Sequence, residues 1–292
     1  MRKTVKEILT LAADYLQKNK TDEPQIEAEL LMSKLLGCRR LELALYNDRI
    51  LEEKIIDAMR HGLKRVASGE PVQYIIGEVE FLGNTYKVDK RALIPRPETE
   101  ELTAWLLEYD KVWENCPASK KGSPPVVVDV GTGTGCIILS IALKKTDAYY
   151  AAIDVSQDSL ALAQENAVRL GLSDKVAFLY GELPEIVDED TLDIIVSNPP
   201  YIKTSDYELL PPKIKNYEPR IALDGGEDGL EVIRAVIQDA SIALKSGGHL
   251  FMEIGFDQAK AVRAILEENG FKAVEVKEDF AGHDRMVHAE KP

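Results

Sequence analysis

Cysteine and histidine are scarce in this sequence. Its 292 residues contain three cysteines (Cys38, Cys116 and Cys136) and four histidines, and both residue types are scattered along the chain. Such spacing provides neither a disulfide framework nor the short pairs of ligands that bind zinc. We therefore expect a protein without a metal site.

Long apolar runs are also missing. No apolar stretch approaches the roughly 18 residues that a membrane-spanning helix needs. The N-terminal stretch MRKTVKEILTLAADYLQKNK has charges on both sides of a short amphipathic segment, and it lacks the features of a signal peptide. These absences predict a cytoplasmic protein with no membrane partner.

Positive charge is in deficit, because the formal net charge is −14. The first 72 residues carry 13 lysines and arginines against 12 aspartates and glutamates, a net charge of +1. The remaining 220 residues carry 23 against 38, a net charge of −15. A region with this much negative charge repels a phosphate backbone, although it can still contain a small local basic groove. This charge predicts that the protein has no stable nucleic-acid partner. We also expect the protein to be a monomer.

The first 72 residues have the apolar spacing of helices. Pro24 lies near the start of the second predicted helix and Gly37 follows its end, as is typical of helix boundaries. Four such helices with short loops predict a small helical bundle. The apolar face of the first helix is predicted to consist of Ile8, Leu11, Ala12, Tyr15 and Leu16.

A β-hairpin is predicted to follow the bundle. Apolar and polar residues alternate from Val79 to Val88 on both sides of a Gly83-Asn84 turn. We therefore divide the chain into a helical substrate-docking domain (residues 1–72), a β-hairpin linker (73–95) and a cofactor-dependent domain (96–292).

Strands and helices alternate from residue 126 onwards, which is the βαβ pattern of a doubly wound parallel sheet. The last two predicted strands have no helix between them and should form an antiparallel hairpin at one sheet edge. The predicted fold class is α/β, a small N-terminal helical bundle plus a Rossmann-like seven-stranded domain with a C-terminal antiparallel hairpin. The predicted strands are 126–130, 149–155, 176–180, 193–198, 249–255, 271–277 and 285–290.

A glycine-rich turn, VVVDVGTGTGCII, follows the first strand of this domain. Gly131, Gly133 and Gly135 differ from the dinucleotide fingerprint, which needs glycine where this chain has Cys136. Asp129 at the mouth of the turn would repel a pyrophosphate but suits a cation, such as the ammonium group of S-adenosylmethionine. A glycine turn can also be a plain connection, but this pattern favours S-adenosylmethionine over NAD.

Two further strand ends extend the predicted cofactor site. Asp154 ends the next strand, where a carboxylate can accept hydrogen bonds from both ribose hydroxyls. Glu182 and Leu183 end the third strand, where adenine contacts are expected, since ligands bind at the carboxyl ends of open α/β sheets. The predicted cofactor-binding residues are Asp129, Gly131, Thr132, Gly133, Thr134, Gly135, Asp154, Glu182, Leu183 and Asn198.

The stretch IIVSNPPYI ends the fourth strand with Asn198, Pro199, Pro200 and Tyr201. Asn-Pro and Pro-Pro also simply stop strands. However, the Asn198 oxygen and a carbonyl of the proline pair can accept both hydrogens of an NH₂ group, and the prolines offer no competing N–H. Tyr201 can lie against a planar group. We predict that these four residues are catalytic and orient a planar nitrogen toward the sulfonium methyl.

Together with the glycine loop, N-P-P-Y resembles methyltransferases that act on planar nitrogen, which include adenine-N6, guanine-N2 and protein glutamine-N5 enzymes. The segments QYIIGEVEFLGNTYKVDKRALIPRPETEEL, DVGTGTGCI, NPPYI and EPRIALDGGEDGL resemble the release-factor glutamine N5-methyltransferase family almost end to end. The helical N-terminus also fits that family. The first and last segments supply a specificity that N-P-P-Y alone lacks.

This resemblance implies methyl transfer from S-adenosylmethionine to the glutamine of the Gly-Gly-Gln motif in class I peptide-chain release factors. It implies that Asn198 to Tyr201 hold that glutamine and that Arg96 and Glu98 help to shape the pocket. Many relatives have aspartate where this chain has Glu182.

Two alternatives stay open at this point. An adenine-N6 methyltransferase acting on nucleic acid would need a basic surface, for which the near-neutral N-terminal region offers little. A non-catalytic module that binds S-adenosylmethionine fits poorly with an intact Asn198.

Overall fold

The computed structural model describes residues 3–292, which form two compact units. The first unit contains residues up to Glu78 together with Pro211–Tyr217. The second contains Val79–Leu210 and Glu218–Pro292.

The first unit is a helical bundle with its own apolar core, in which Val5, Leu16, Ala28 and Met32 are fully buried. Thr4 closes the N-terminus of the first helix through a reciprocal capping box with Glu7. Its elements are α1 (Val5–Lys18), α2 (Pro24–Leu36), a 3₁₀ helix (Arg40–Tyr46), α3 (Glu53–Ala67), α4 (Val72–Ile76) and, in chain order, α12 (Pro212–Lys215).

The bundle differs from the prediction in detail. Leu11 and Tyr15 are exposed, and Val5 and Leu9 take their places in the core. One residue turns an α-helix by about 100°, so Leu11 lies well round the helix from the buried Ala12. The third predicted helix is the 3₁₀ helix, and α4 was not predicted at all.

The second unit begins with a two-stranded sheet, as the hairpin prediction requires. Its turn lies at Leu82 and Gly83, which both have positive φ angles, and Asn84 already belongs to the second strand. Its first elements are β1 (Glu78–Phe81), β2 (Asn84–Lys87), α5 (Pro97–Glu108), α6 (Asp110–Asn115) and α7 (Pro117–Lys120).

A seven-stranded sheet forms the body of the second unit, in the order β5-β4-β3-β6-β7-β9-β8. Strands β3 to β7 pair in parallel, and β9 is antiparallel to both of its neighbours. Its elements are β3 (Val126–Val130), α8 (Cys136–Lys144), β4 (Tyr149–Asp154), α9 (Gln157–Leu170), β5 (Val176–Tyr180), α10 (Leu183–Ile186), β6 (Leu192–Ser197), α11 (Thr204–Tyr207), a 3₁₀ helix (Arg220–Ala222), α13 (Glu231–Ala243), β7 (Leu244–Glu253), α14 (Ala259–Glu268), β8 (Lys272–Glu278) and β9 (Asp284–Glu290).

The predicted doubly wound sheet with an antiparallel edge hairpin is confirmed. Two apolar cores cover its faces: α5 and α8 contribute to one, and α13 and α14 contribute to the other. The strand order reverses between β3 and β6, which are neighbours in the sheet. Ligands of such sheets bind at this switch point, outside the carboxyl ends of the strands. Among the described residues, no helix is both long enough and apolar enough to cross a membrane.

Candidate active site

A cavity of about 490 Å³ opens at the carboxyl ends of β3, β4, β5 and β6. Its volume is within the range of small-molecule sites. Of the residues predicted from the sequence, those in its wall are Gly131, Thr132, Gly133, Thr134, Asp154, Glu182, Leu183, Asn198, Pro199 and Pro200. The predicted residues Asp129, Gly135, Tyr201, Arg96 and Glu98 lie outside this wall.

The glycine loop is fixed to the end of β4 by backbone hydrogen bonds. The amides of Gly131 and Thr132 donate to the carbonyl of Ile153 at 2.9 and 3.1 Å. The amide of Gly133 donates to Oδ2 of Asp154 at 2.9 Å. Gly131 and Gly133 have positive φ angles and leave space beside the backbone, so a ligand can approach the loop closely.

Asp154 has acceptor capacity left for a ligand. Its Oδ1 accepts from the Ser156 amide at 2.8 Å, so each carboxylate oxygen receives one backbone N–H. A carboxylate offers about four acceptor positions, which leaves about two for hydroxyl groups. Burial raises the pKa of Asp154, and the two backbone amides oppose that shift. The residue is therefore suited to accept from a ribose.

Asp129 does not reach the cavity, contrary to the prediction. It precedes the last residue of β3 and is completely buried, whereas Val130 lines the cavity in its place. Thr132 donates its hydroxyl to Oδ2 of Asp129 at 2.7 Å, and Oδ1 has no hydrogen-bond partner among the described residues. Burial raises the pKa of Asp129 to about 7, against the effect of Thr132. Asp129 therefore supports the loop from below.

Gly135 is required for helix packing and lies outside the cavity wall. It has a φ angle of +79° and precedes α8. A Cβ atom there would lie 3.0 Å from Leu139 Cδ1 and 3.1 Å from Ala163 Cβ. A side chain would therefore separate α8 from α9.

The cavity wall is acidic. Besides Asp154 and Glu182, it includes Glu231 and Asp239, and none of the described wall residues is a lysine or arginine. Burial, and then Glu182, raise the pKa of Asp239. Such a wall attracts the cationic sulfonium and ammonium groups of S-adenosylmethionine and repels a pyrophosphate. The residues present thus fit this cofactor.

Asn198 lies beside the glycine loop because β3 and β6 are paired in the register Val130 to Ser197. Its Nδ2 atom donates a hydrogen bond to Oγ1 of Thr99 at 2.8 Å. Its Oδ1 atom makes no hydrogen bond with any described residue. Asn198 therefore offers a free acceptor in the cavity wall.

The segment 218–230 supports the backbone of the N-P-P-Y motif. The amide of Ile202 donates to Leu223, and the amide of Gly225 donates back to Ile202 at 2.8 Å. A Cβ atom at Gly225 would lie only 2.7 Å from the Pro200 carbonyl oxygen. The Asp-Gly-Gly sequence therefore forms a turn and also brings the backbone of Gly225 into close contact with that of Pro200.

Tyr201 is placed differently from the prediction. Its ring packs against the apolar core instead of lining the cavity, because its hydroxyl reaches inward and donates to Oε1 of Glu253 at 3.0 Å. Its backbone carbonyl accepts from Nε2 of Gln258 at 3.0 Å. In this structure, Tyr201 holds the motif in place through these two hydrogen bonds.

Arg96 and Glu98 also differ from the prediction. The Arg96 guanidinium donates to Glu218 at 2.5 Å, and the buried Glu218 also accepts from the Ile94 amide at 3.1 Å. Arg96 thus joins the P-R-P-E-T-E segment to the segment that begins at Glu218. Pro95 and Thr99, rather than Arg96 and Glu98, line the wall.

Sequence reasoning missed four residues of this region: Thr99, Asp239, Glu253 and Gln258. Only Glu253 carries a signal in the sequence, as the single acid in the apolar stretch HLFMEIG. A carboxylate in a buried strand needs partners, which makes it a functional candidate.

Comparisons with known proteins agree with this geometry. Two family models match the chain, the PrmC N-terminal domain over residues 7–77 and the methyltransferase small domain over residues 116–210. The release factor glutamine methyltransferase of Rhodopirellula baltica is 36% identical over 290 residues, which cover 99% of this chain and 96% of that protein. The protein of the same name from Neisseria gonorrhoeae is 39% identical over 270 residues, which cover 90% and 92%.

A solved structure gives the same fold. The hMettl16 catalytic domain, in complex with MAT2A 3'UTR hairpin 6, matches with a TM-score of 0.54 and 16% identity over 84% of this chain and 86% of that one. At 16% identity, this match shows only that the two proteins share a fold. The full-length similarity to the curated relatives shows that this chain belongs to the release factor glutamine methyltransferase family.

Proposed function

We propose that the protein transfers a methyl group from S-adenosylmethionine to the side-chain amide nitrogen of the glutamine in the Gly-Gly-Gln motif of class I peptide-chain release factors, in the cytoplasm. The observation that carries the proposal is the state of Asn198. Its nitrogen is occupied by Thr99, and its oxygen is a free acceptor beside the glycine loop.

S-adenosylmethionine supplies an electrophilic methyl group on a cationic sulfur. We assign Asp154 to the two ribose hydroxyls, because its carboxylate lines the cavity with spare acceptor positions. Leu183 provides an apolar surface for the adenine, with Glu182 and Asp239 as acceptors nearby. The glycine loop lets the methionine part pass close to the backbone.

The substrate amide has two hydrogens, and we assign one to Asn198 Oδ1 and one to the carbonyl of Pro199. The Pro200 carbonyl is the less suitable acceptor, because it lies against Gly225. When both hydrogens are held, the nitrogen is fixed in orientation toward the methyl group. Correct orientation of a reacting atom is worth several kcal/mol, so the transfer itself needs no strong base.

We assign docking of the release factor to the helical unit, with residues 73–95 as linker and the rest of the chain as catalytic domain. The surface of the helical unit supports a protein partner, because Leu41 and Leu45 are more than 80% exposed. Large exposed apolar side chains are available for contact with a protein partner. We propose a monomer that forms no stable complex with nucleic acid.

The test is to incubate the protein with methyl-labelled S-adenosylmethionine and a purified release factor. Mass spectrometry should place one methyl group on the glutamine of Gly-Gly-Gln. A factor carrying asparagine at that position is the matched control and should stay unmodified, because its amide is one methylene further from Asn198. If label enters adenine of added DNA or RNA while the factor stays unmodified, the proposal is wrong.

A further inference from the structure

The side-chain amide of Asn198 ends a chain of hydrogen bonds between buried groups. Its Nδ2 donates to Thr99 Oγ1 at 2.8 Å, and Thr99 Oγ1 donates to Oε2 of Glu253 at 2.6 Å. The Tyr201 hydroxyl donates to the other oxygen of Glu253 at 3.0 Å. We call these four residues the Glu253 network.

The network has a defined direction. An ionised carboxylate only accepts hydrogen bonds, and a hydroxyl has a single hydrogen to donate. Because the Thr99 hydrogen is given to Glu253, Thr99 Oγ1 can only accept from Asn198. The nitrogen of the Asn198 amide must then face Thr99, and its oxygen is left for the cavity.

We propose that Glu253 and Thr99 are positioning residues for methyl transfer: ionised Glu253 orients the Thr99 hydroxyl, and this hydroxyl holds the Asn198 amide with its oxygen toward the substrate. The inference rests on the proposed function, since only a substrate with an N–H pair requires an acceptor there. Neither residue needs to touch the reacting atoms.

The location of Glu253 supports a functional role. It ends β7, and its neighbours Phe251, Met252 and Ile254 are fully buried and apolar. A buried carboxylate in such a position adds little to the stability of the fold, because the cost of its desolvation opposes the gain from its hydrogen bonds. Its presence at this buried position is explained if it sets the direction of the network.

The burial of Glu253 places the network close to a change of protonation state at neutral pH. Burial raises the pKa of Glu253 to about 7, while the hydroxyls of Thr99 and Tyr201 lower it. Of the charged groups that face it, Glu98 on α5 raises the pKa and Arg285 on β9 lowers it.

Protonation of Glu253 reverses or breaks the network. A proton on Oε2 lets Glu253 donate to Thr99, and Thr99 can then donate to the Asn198 oxygen. The amide would turn over, and its N–H groups would meet those of the substrate. A proton on Oε1 instead displaces the Tyr201 hydroxyl, which holds the motif. Turnover should therefore fall as the pH drops through the pKa of Glu253.

The first experiment compares two threonines of the same helix. Thr99→Val keeps the shape but removes the hydroxyl, and Thr103→Val is the control, because Thr103 is equally buried but donates only to the Thr99 carbonyl. We expect Thr99→Val to lower kcat about tenfold or more, with affinity for S-adenosylmethionine within about twofold. Thr99→Ser should restore most of the turnover. Equal kcat values for the two valine variants would overturn the inference.

The second experiment tests the role of Glu253 independently of the hydrogen bond that Thr99 makes to Asn198. The pH profile of the wild-type enzyme should rise through about pH 7, and in Glu253→Gln this rise should disappear because the group no longer titrates. An unchanged profile in Glu253→Gln, with the fold intact by circular dichroism, would refute the role of Glu253.

The third experiment does not depend on activity. In ¹⁵N-labelled protein, the side-chain NH₂ signals of Asn198 should shift between about pH 6 and pH 8 and stay constant in Glu253→Gln. Signals that do not move in the wild-type protein would overturn the network. If they move but release factors stay unmethylated, the proposed function fails and the hydrogen-bond inference stands.

Discussion

Replacement of Asp154 by alanine should weaken cofactor binding strongly, because this carboxylate lines the cavity and has acceptor positions left for a ligand. In the free protein, the carboxylate accepts from the amides of Gly133 and Ser156. In the complex, we assign it two further hydrogen bonds from the ribose. The substitution removes all four acceptor interactions and leaves two backbone N–H groups without their partner.

The size of the effect follows from the bonds that are lost. A hydrogen bond to a charged group contributes about 1.5–3 kcal/mol, so two ribose bonds contribute at least about 3 kcal/mol. This corresponds to a Kd that is raised about 150-fold. Stability should change less, because the variant also loses a carboxylate whose charge is disfavoured by burial.

Isothermal titration calorimetry with S-adenosylmethionine measures this Kd directly. The control is Asp158→Ala, which removes the same charge from an exposed position four residues further along, in the first turn of α9. Thermal unfolding of both variants shows whether the fold is kept. If Asp154→Ala binds within about threefold of the wild-type protein, the assignment of the ribose to this carboxylate is wrong.

Three other substitutions test separate parts of the structure. Asn198→Ala should leave the fold intact but lower kcat about 10²-fold or more, because the reacting nitrogen is no longer oriented. Steady-state kinetics with a purified release factor would contradict this if kcat stayed near the wild-type value. Gly225→Ala places a Cβ 2.7 Å from the Pro200 carbonyl oxygen, so this backbone must shift and kcat should fall while calorimetry still finds cofactor binding; a normal kcat would show that the contact is unimportant. Glu253 has a pKa raised from 4.5 to about 7 in the folded protein, so its contribution to stability is fully present below pH 4.5 and is lost as the pH rises through 7. Urea unfolding should therefore show Glu253→Gln gaining up to about 3 kcal/mol relative to wild type between those pH values, and a difference that is independent of pH would disprove the shift.

Local sequence patterns were sufficient to predict the fold class and most of the elements. The alternation of strands and helices after residue 126 predicts a doubly wound sheet, because each element buries one side against its neighbours. Pro24 and Gly37 mark the ends of α2 for reasons that act within a few residues. The glycine loop and the N-P-P-Y motif are likewise local, since both depend on backbone conformations that few residue types allow.

Contacts between distant parts of the chain could not be read from such patterns. The sequence separates Thr99 from Asn198 by 99 positions and Thr99 from Glu253 by 154. The pairing of β6 with β7 brings Asn198 and Glu253 together at the carboxyl ends of these strands, and Thr99 reaches both from the first turn of α5. The same pairing decides that Tyr201 turns inward to Glu253.

The position of Asp129 shows the limit most clearly. Its residue type, next to a glycine loop, suggested a contact with a cation, but the last residue of a strand and the one before it point to opposite sides of the sheet. The sequence by itself determined which residues could take part in the chemistry of this protein. The tertiary structure decided which of them reach the cavity, because alternation along a strand and the order of strands in the sheet set the direction and the neighbours of each side chain.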